Sequence, residues 1–371
     1  MACATCFHDA VRIDAAVHRE RNAMAPGMTD RWGPPLLRSL MVGTVGGVLA
    51  AHIGLPLAWM LGPLVANLAA SIGGARVAVP ENLRLAFLGV LGLVLGSRMT
   101  PELVARLVDW PISGALLLAG VAASTSVVAA WFRRCGFDPV TAWFSAAPGA
   151  MTAMIMMGEA SGGDPRRVAI SQSLRIILVL LILPPLFWLY EGVDGGRGDN
   201  AAPHFENLWL IAMLPLLIPL GNRLRIPTAA LMLPLVVSGL LSGFGVASLR
   251  MPDWGMNLML LVLGCAIGSR FRGLSLSLLR RHLLESFVAT LLSLLILALF
   301  AELVHQAIEV PRDVALMAMA PGGIGELAIL AVALNLDPMF VAFHHLLRIV
   351  ALMLVAPLWA KYLTRRQPPA P

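Results

Sequence analysis

Arg175 and Arg348 each stand well inside an apolar run. Each follows a proline–glycine stretch at the same distance: Ala147-Pro148-Gly149-Ala150 in one case, Ala320-Pro321-Gly322-Gly323 in the other. Proline lacks a backbone donor and breaks a helix, while glycine lets a ligand or another backbone come close. Half-helices beginning at such breaks would aim N–H groups at an anion or a carboxylate. An arginine near the centre of a membrane helix costs at least about 2.5–3.5 kcal/mol on insertion scales, so it faces protein or water rather than lipid. These residue types in this order suit a binding site for a small anionic or zwitterionic solute. Pro148, Gly149, Thr152 and Arg175 would come from one stretch, and Pro321, Gly322, Gly323, Gly325 and Arg348 from the other.

The two stretches differ where titration is possible. Glu326 stands in the second where the first has Ala153, and His345 where the first has Gln172. His345 and Arg348, three apart, share a helix face. An acid and a histidine present in one stretch only are what proton coupling needs, since histidine titrates near neutral pH. A structural account stands beside this one. The breaks would then be kinks with glycines for helix packing. The arginines would cap carbonyls or pair with acids, Glu159 and Glu326 being within the same segments. Both accounts are open on the sequence, and both can hold together. Asp164-Pro165 and Asp337-Pro338 read as helix starts, with Asp at the N-cap and Pro at N1.

The elements that must position these residues come in two sets. Residues 147–184 lie on 320–357 without a gap at a displacement of 173, and Gly96-Ser97-Arg98 lies on Gly268-Ser269-Arg270 at 172. A chain that repeats itself is a duplication. The chain has 371 residues, 58% of them hydrophobic and 13% charged. Soluble domains carry about 25% charged residues, so this composition describes a polytopic membrane protein. The apolar segments are 36–53, 55–72, 83–97, 111–132, 139–160 and 168–190, then 207–221, 227–247, 254–268, 283–304, 314–334 and 339–361. The expected organisation is a disordered leader over 1–35 with alternative starts at Met24 and Met28, membrane repeats at 36–190 and 207–364, a polar acidic link at 191–206 and a tail at 365–371.

Arginines set the orientation, because cytoplasmic loops carry the excess of positive charge. Twelve full spans would place Arg223, Arg225 and the run Arg270, Arg272, Arg280, Arg281 outside. If the fifth segment of each repeat instead enters and leaves on one side, turning at its Pro-Gly, nearly all the clusters fall inside and the acidic link falls outside. The repeats are then inverted. Each has five spanning helices and one re-entrant hairpin or broken helix, the architecture of secondary transporters.

Other chemistry finds little support. Cys3-x-x-Cys6 beside His8 has no second half, and His344 and His345 point apart on a helix. No metal or cofactor is expected, nor direct contact with nucleic acid, since the positive charge follows topology.

The stretches APGAMTAMIMMGEASGGDPRRVAISQSLRI and APGGIGELAILAVALNLDPMFVAFHHLLRIV resemble the bacterial AbrB membrane-protein family, whose members carry an internal duplication. The resemblance runs from about residue 36 to 364, with Ala150 departing from the second glycine usual in the first repeat. It implies a fold similar to the inverted-repeat antiporters and anion transporters. The labels "ammonia monooxygenase" and regulator of gene expression that accompany the family meet neither metal ligands nor a nucleic-acid-binding domain here. The expectation is an all-α polytopic protein of the bacterial inner membrane with both termini cytoplasmic, embedded in lipid and open to homo-oligomerisation. It would be a secondary transporter rather than an enzyme. A membrane-embedded sensor affecting gene expression is the alternative, and a membrane monooxygenase comes third.

Overall fold

A computed structural model describes residues 33–365, apart from 56, 100–109, 150, 192–206, 225, 227, 250, 271–275 and 335. The leader through residue 32, with Cys3, Cys6 and His8, lies outside the described residues. So do the link from 192, Ala150, Arg225, Arg272, the tail from 366 and the side chain of Thr152.

Among the described residues all the regular structure is helical. The first seven helices are α1 (Pro34–His52), α2 (Ala58–Ile72), α3 (Glu81–Gly96), α4 (Trp110–Arg134), α5 (Pro139–Ala146), α6 (Met151–Ala160) and α7 (Pro165–Glu191). Then come α8 (Trp209–Ala212), α9 (Leu214–Arg223), α10 (Ala229–Gly243), α11 (Asp253–Ser269) and α12 (Leu276–Ile308). The last are α13 (Arg312–Met319), α14 (Ile324–Ala333) and α15 (Pro338–Arg365). This is an integral, multi-pass membrane protein. Among the described residues, five helices, within α1, α4, α7, α12 and α15, are long and apolar enough to cross a bilayer.

Other apolar segments expected to span form shorter helices or lie partly outside the described residues. Helices α2, α10 and α11 are apolar but only 15–17 residues long. At about 1.5 Å per residue they reach about 22–26 Å, less than a hydrocarbon core of about 30 Å. Backbone punctuation shortens them. Leu57 and Thr228, just before α2 and α10, are left-handed at φ 51° and 48°, and Gly74 and Gly245 after them are left-handed too.

The helices pack as two bundles. In the first, α2 runs along α1 and α11, α3 along α10, and α10 also against α9. In the second, α4 packs on α12 and α5; α7 packs on α5, α6 and α12; and α15 packs on α13, α14 and α4. Each bundle draws helices from both halves of the chain, so the division in space does not follow the division in sequence. Helices α14 and α15 touch α3, where the bundles meet.

Glycine makes the seams of the first bundle. A Cβ on Gly92 or Gly96 of α3 would strike Leu231 O or Leu235 O of α10, and one on Gly264 or Gly268 of α11 would strike Met60 O or Leu64 O of α2. Backbone thus lies on backbone along both seams, the close approach that small residues permit between membrane helices. The second bundle has side chains at its centre instead: Ser124 of α4 and Ser293 of α12 share a 2.8 Å hydrogen bond, and Trp110 packs on Phe340 and Phe343.

Candidate functional site

Proline ends α5 and α13. A residue before proline is driven out of the helical region, and Ala147 and Ala320 take ψ 120° and 139° accordingly. Gly149 N–H then turns back to Ala147 O at 2.9 Å, and Gly322 N–H to Ala320 O at 3.1 Å. The last carbonyls of a helix have no partner within it. Here the long helix that follows supplies partners. Gln172 Nε2 of α7 donates to Phe144 O at 2.7 Å and Ala147 O at 2.9 Å, and Arg175 Nη1 to Ala147 O at 3.3 Å. From α15, His345 Nε2 donates to Met317 O at 3.2 Å, Arg348 Nη1 to Ala320 O at 2.6 Å, and Arg348 Nη2 to Gly322 O. The cations thus sit at helix C-termini, where the partial negative charge of the dipole lies.

The arginines therefore do cap the breaks. They do not pair with Glu159 or Glu326. Glu159 is exposed at the end of α6, and Arg175 Nη2 donates to Gln172 Oε1 at 2.6 Å. The Glu326–Arg348 pair weighed above is not made either: Glu326 meets Arg270 at 3.4 Å. The carboxylate meets the C-terminal end of α11, while Arg348 holds the carbonyls of the break.

Capping does not exhaust the arginines. Both side chains are buried, with Arg348 0% and Arg175 7% exposed, and Nε of each has no hydrogen-bond partner in the protein. No aspartate or glutamate is among the buried polar groups of the described residues. His345 is fully buried as well. With Nε2–H donating to Met317 O, its Nδ1 is the acceptor, and that atom has no partner. His344, one residue earlier, has a partner at both nitrogens: Nδ1–H donates to Phe340 O at 2.7 Å, and Nε2 lies 2.8 Å from Ser113 Oγ.

The glycines differ in use. A Cβ on Gly149 would meet only the Met154 side chain, at 3.0 Å, and one on Gly322 the Leu327 side chain. On Gly323 it would overlap Glu326 Oε2, so the carboxylate folds back over the break. Gly325 faces Leu88 of α3. Pro148 and Pro321 are buried at the breaks. Asp164 and Asp337 cap α7 and α15, accepting from Arg166 and Arg167 N–H and from Met339 and Phe340 N–H. Asp138, passed over in the sequence, caps α5 in the same way.

Two further residues escaped the sequence reading as site residues. Arg270 counted only as a topology charge and Arg84 was not singled out, yet both line a cleft with Glu326. A signal was present, since Gly268-Ser269-Arg270 repeats Gly96-Ser97-Arg98. Among the described residues, no three His, Cys, Asp or Glu side chains gather as metal ligands would.

Two known proteins are similar to this chain over most of its length. "Putative regulator AbrB" of Escherichia coli (strain K12) is 27% identical over 352 residues, covering 91% of this chain and 98% of that protein. "Uncharacterized protein YhjN" of Bacillus subtilis (strain 168) is 24% identical over 348 residues, covering 86% of this chain and 90% of that protein. The family described as "Transition state regulatory protein AbrB" matches residues 59–364, both breaks and both arginines included, and the chain belongs to the AbrB family.

Proposed function

We propose that this protein is a secondary transporter of a small anionic or zwitterionic metabolite, working by alternating access in the bacterial inner membrane with its termini in the cytoplasm. The observation that carries the reading is the pair of buried arginines. They keep Nε without a partner and have no buried carboxylate to balance them among the described residues. Burying an unpaired charge costs several kcal/mol per ion, and carbonyl caps offset only part of it. An anion bound between the breaks would offset the rest.

The inverted-repeat arrangement belongs to this proposal. Contacts that recur at displacements of 171–173 support it: α2 lies on α11 as α3 lies on α10, and Arg175 meets Ala147 O as Arg348 meets Ala320 O. The junction of two bundles gives the moving surface, and Glu326 or His345 would hold the coupling proton.

Two measurements test it. Labelling of single cysteines in a cysteine-free background should place 161–167 inside and 334–338 outside; the same side for both ends the inverted arrangement. Proteoliposomes should accumulate a labelled organic acid when a proton gradient is imposed. Binding without uptake would favour the second reading, a membrane-embedded sensor, which the name of the Escherichia coli relative suggests.

A further inference from the structure

Far from the breaks, the end of the second bundle where α4 stops and α7 and α12 begin gathers around one ring. Phe137, in the turn between α4 and α5, packs on Phe132 with ring centroids 4.9 Å apart and meets His282 edge to face at 6.4 Å. The Arg167 guanidinium lies 5.0 Å from the ring centre, and its Nη1 donates to Gly136 O at 3.2 Å. Three helix ends are thereby drawn together, and with them Arg133, Arg134 and Arg166, all exposed. The acids at this end are engaged locally. Asp138 accepts from Val140 and Thr141 N–H, Asp164 from Arg166 and Arg167 N–H, and Glu285 lies 3.0 Å from His282 Nδ1. Glu159 stands on α6, whose main neighbours are α5, α7 and α15. Among the described residues, the side chains of Arg133, Arg134 and Arg166 make no hydrogen bond and no ion pair. The sequence adds Arg280 and Arg281 just before His282, so six arginines stand against four carboxylates and positive charge is left over.

The surface leading to these cations is apolar. Helices α4 and α12 run antiparallel: Ser124 meets Ser293, and two turns on Trp131 Nε1 donates to Glu285 O at 3.0 Å. Their other neighbours, α5 and α15 for α4 and α7 and α13 for α12, stand behind the pair and leave its outer side open. There the exposed positions come three or four apart, which keeps them on one face of each helix. They are Ser126, Ala130 and Arg133 on α4, and Leu284, Phe287 and Leu291 on α12. Ser126 returns its hydroxyl to Ala122 O at 2.7 Å, so it adds no free donor to the face. A lipid-facing apolar strip thus ends at cations that lack a counter-ion.

We propose that the outer side of the α4–α12 pair binds one anionic phospholipid, its phosphodiester on Arg133 and Arg134 and an acyl chain along Ala130 and Phe287. The planar fork of a guanidinium matches the oxygens of a phosphate. Basic groups at the membrane surface draw anionic lipids, whereas a zwitterionic lipid carries its own ammonium and brings no net charge to offset the arginines. The bound lipid lies over the seam of α4 and α12 and holds their ends together by charge where no carboxylate does so. This site is independent of the transport reading: it is measured as lipid bound at equilibrium, so a protein that moves no solute would still show it.

The test is native mass spectrometry of the full chain released from detergent micelles, which counts bound lipid. Phosphatidylglycerol and phosphatidylcholine with the same acyl chains are the probes. Phosphatidylglycerol should bind the more tightly, with one molecule retained first. Each arginine near the surface is worth about fivefold in lipid affinity, so Arg134→Gln should weaken phosphatidylglycerol about fivefold and Arg133→Gln with Arg134→Gln about 25-fold. Arg134→Lys should keep most of the affinity. Arg223→Gln, at an exposed arginine ending α9 in the first bundle, should change nothing. If the double variant does not fold, the two single variants give the same reading. Equal binding of phosphatidylcholine, full binding in the double variant, or an equal loss in Arg223→Gln overturns the proposal. So does displacement of the lipid by free glycerol 3-phosphate at the same concentration, or a dimer of this chain in place of the lipid adduct, which would give the face to a second copy.

Discussion

The two breaks have the same backbone course and different side-chain chemistry. At the first, a neutral Gln172 holds two carbonyls, and Arg175 adds a longer bond at 3.3 Å while leaning on Gln172. At the second, His345 holds one carbonyl, and Arg348 holds two with short contacts. The first break is therefore fixed by a residue without charge and the second by a cation. The first has no acid in the first turn after it, whereas the second has Glu326 folded over its glycine. The two stretches thus share a backbone course and differ in their titratable groups.

The largest effect should come from removing the arginines one at a time. Arg348→Ala leaves two buried carbonyls without their cation and should cost about 3 kcal/mol or more; Arg175→Ala, with Gln172 still in place, about half as much. Thermal unfolding in detergent compares them directly, and equal losses would break the contrast. Next come the glycines. Gly323→Ala must push Glu326 off the break and should cost about 1–3 kcal/mol, whereas Gly149→Ala meets only a flexible methionine and should cost less than about 1 kcal/mol. The same unfolding assay ranks them, and the reverse order would show that Glu326 does not rest on the second break. The smallest stability effect is expected for His345→Gln, since glutamine already serves at the matching position of the first break; it should stay within about 1 kcal/mol. Under the transporter reading this variant flattens the pH dependence of uptake if His345 holds the proton. An unchanged profile leaves the role to Glu326.

Local features were legible in the sequence. Asp164-Pro165 and Asp337-Pro338 start helices because an Asx cap and a proline need only their own neighbours. The breaks at Pro148 and Pro321 follow from the constraint that proline puts on the residue before it. The apolar runs located the helices but not their starts, because left-handed residues at Leu57 and Thr228 delay two of them. What could not be read was long-range. Glu326 finds Arg270, 56 residues earlier, across the junction of two bundles. No periodicity encodes that meeting, and Arg348 was the nearer guess in sequence. The arginine caps were legible as one of two accounts, and only the geometry of α7 and α15 over the breaks brought that account to the fore.

The glycine seams have a consequence for how the chain comes to be made. Helix α2 is shaped for α11 and α3 for α10, so the first half of the protein leaves the ribosome with two grooves whose matching ridges do not yet exist. At about 5–20 residues per second, synthesis of the second half takes roughly ten to thirty seconds. Through that interval, α2 and the glycine face of α3 lack their final neighbours. The nascent first half is thus an insertion intermediate that needs shelter, from an insertase or a neighbouring chain, until its complement arrives. Substitutions that fill a seam glycine should reveal themselves first as poor yield in the membrane rather than as an altered finished protein.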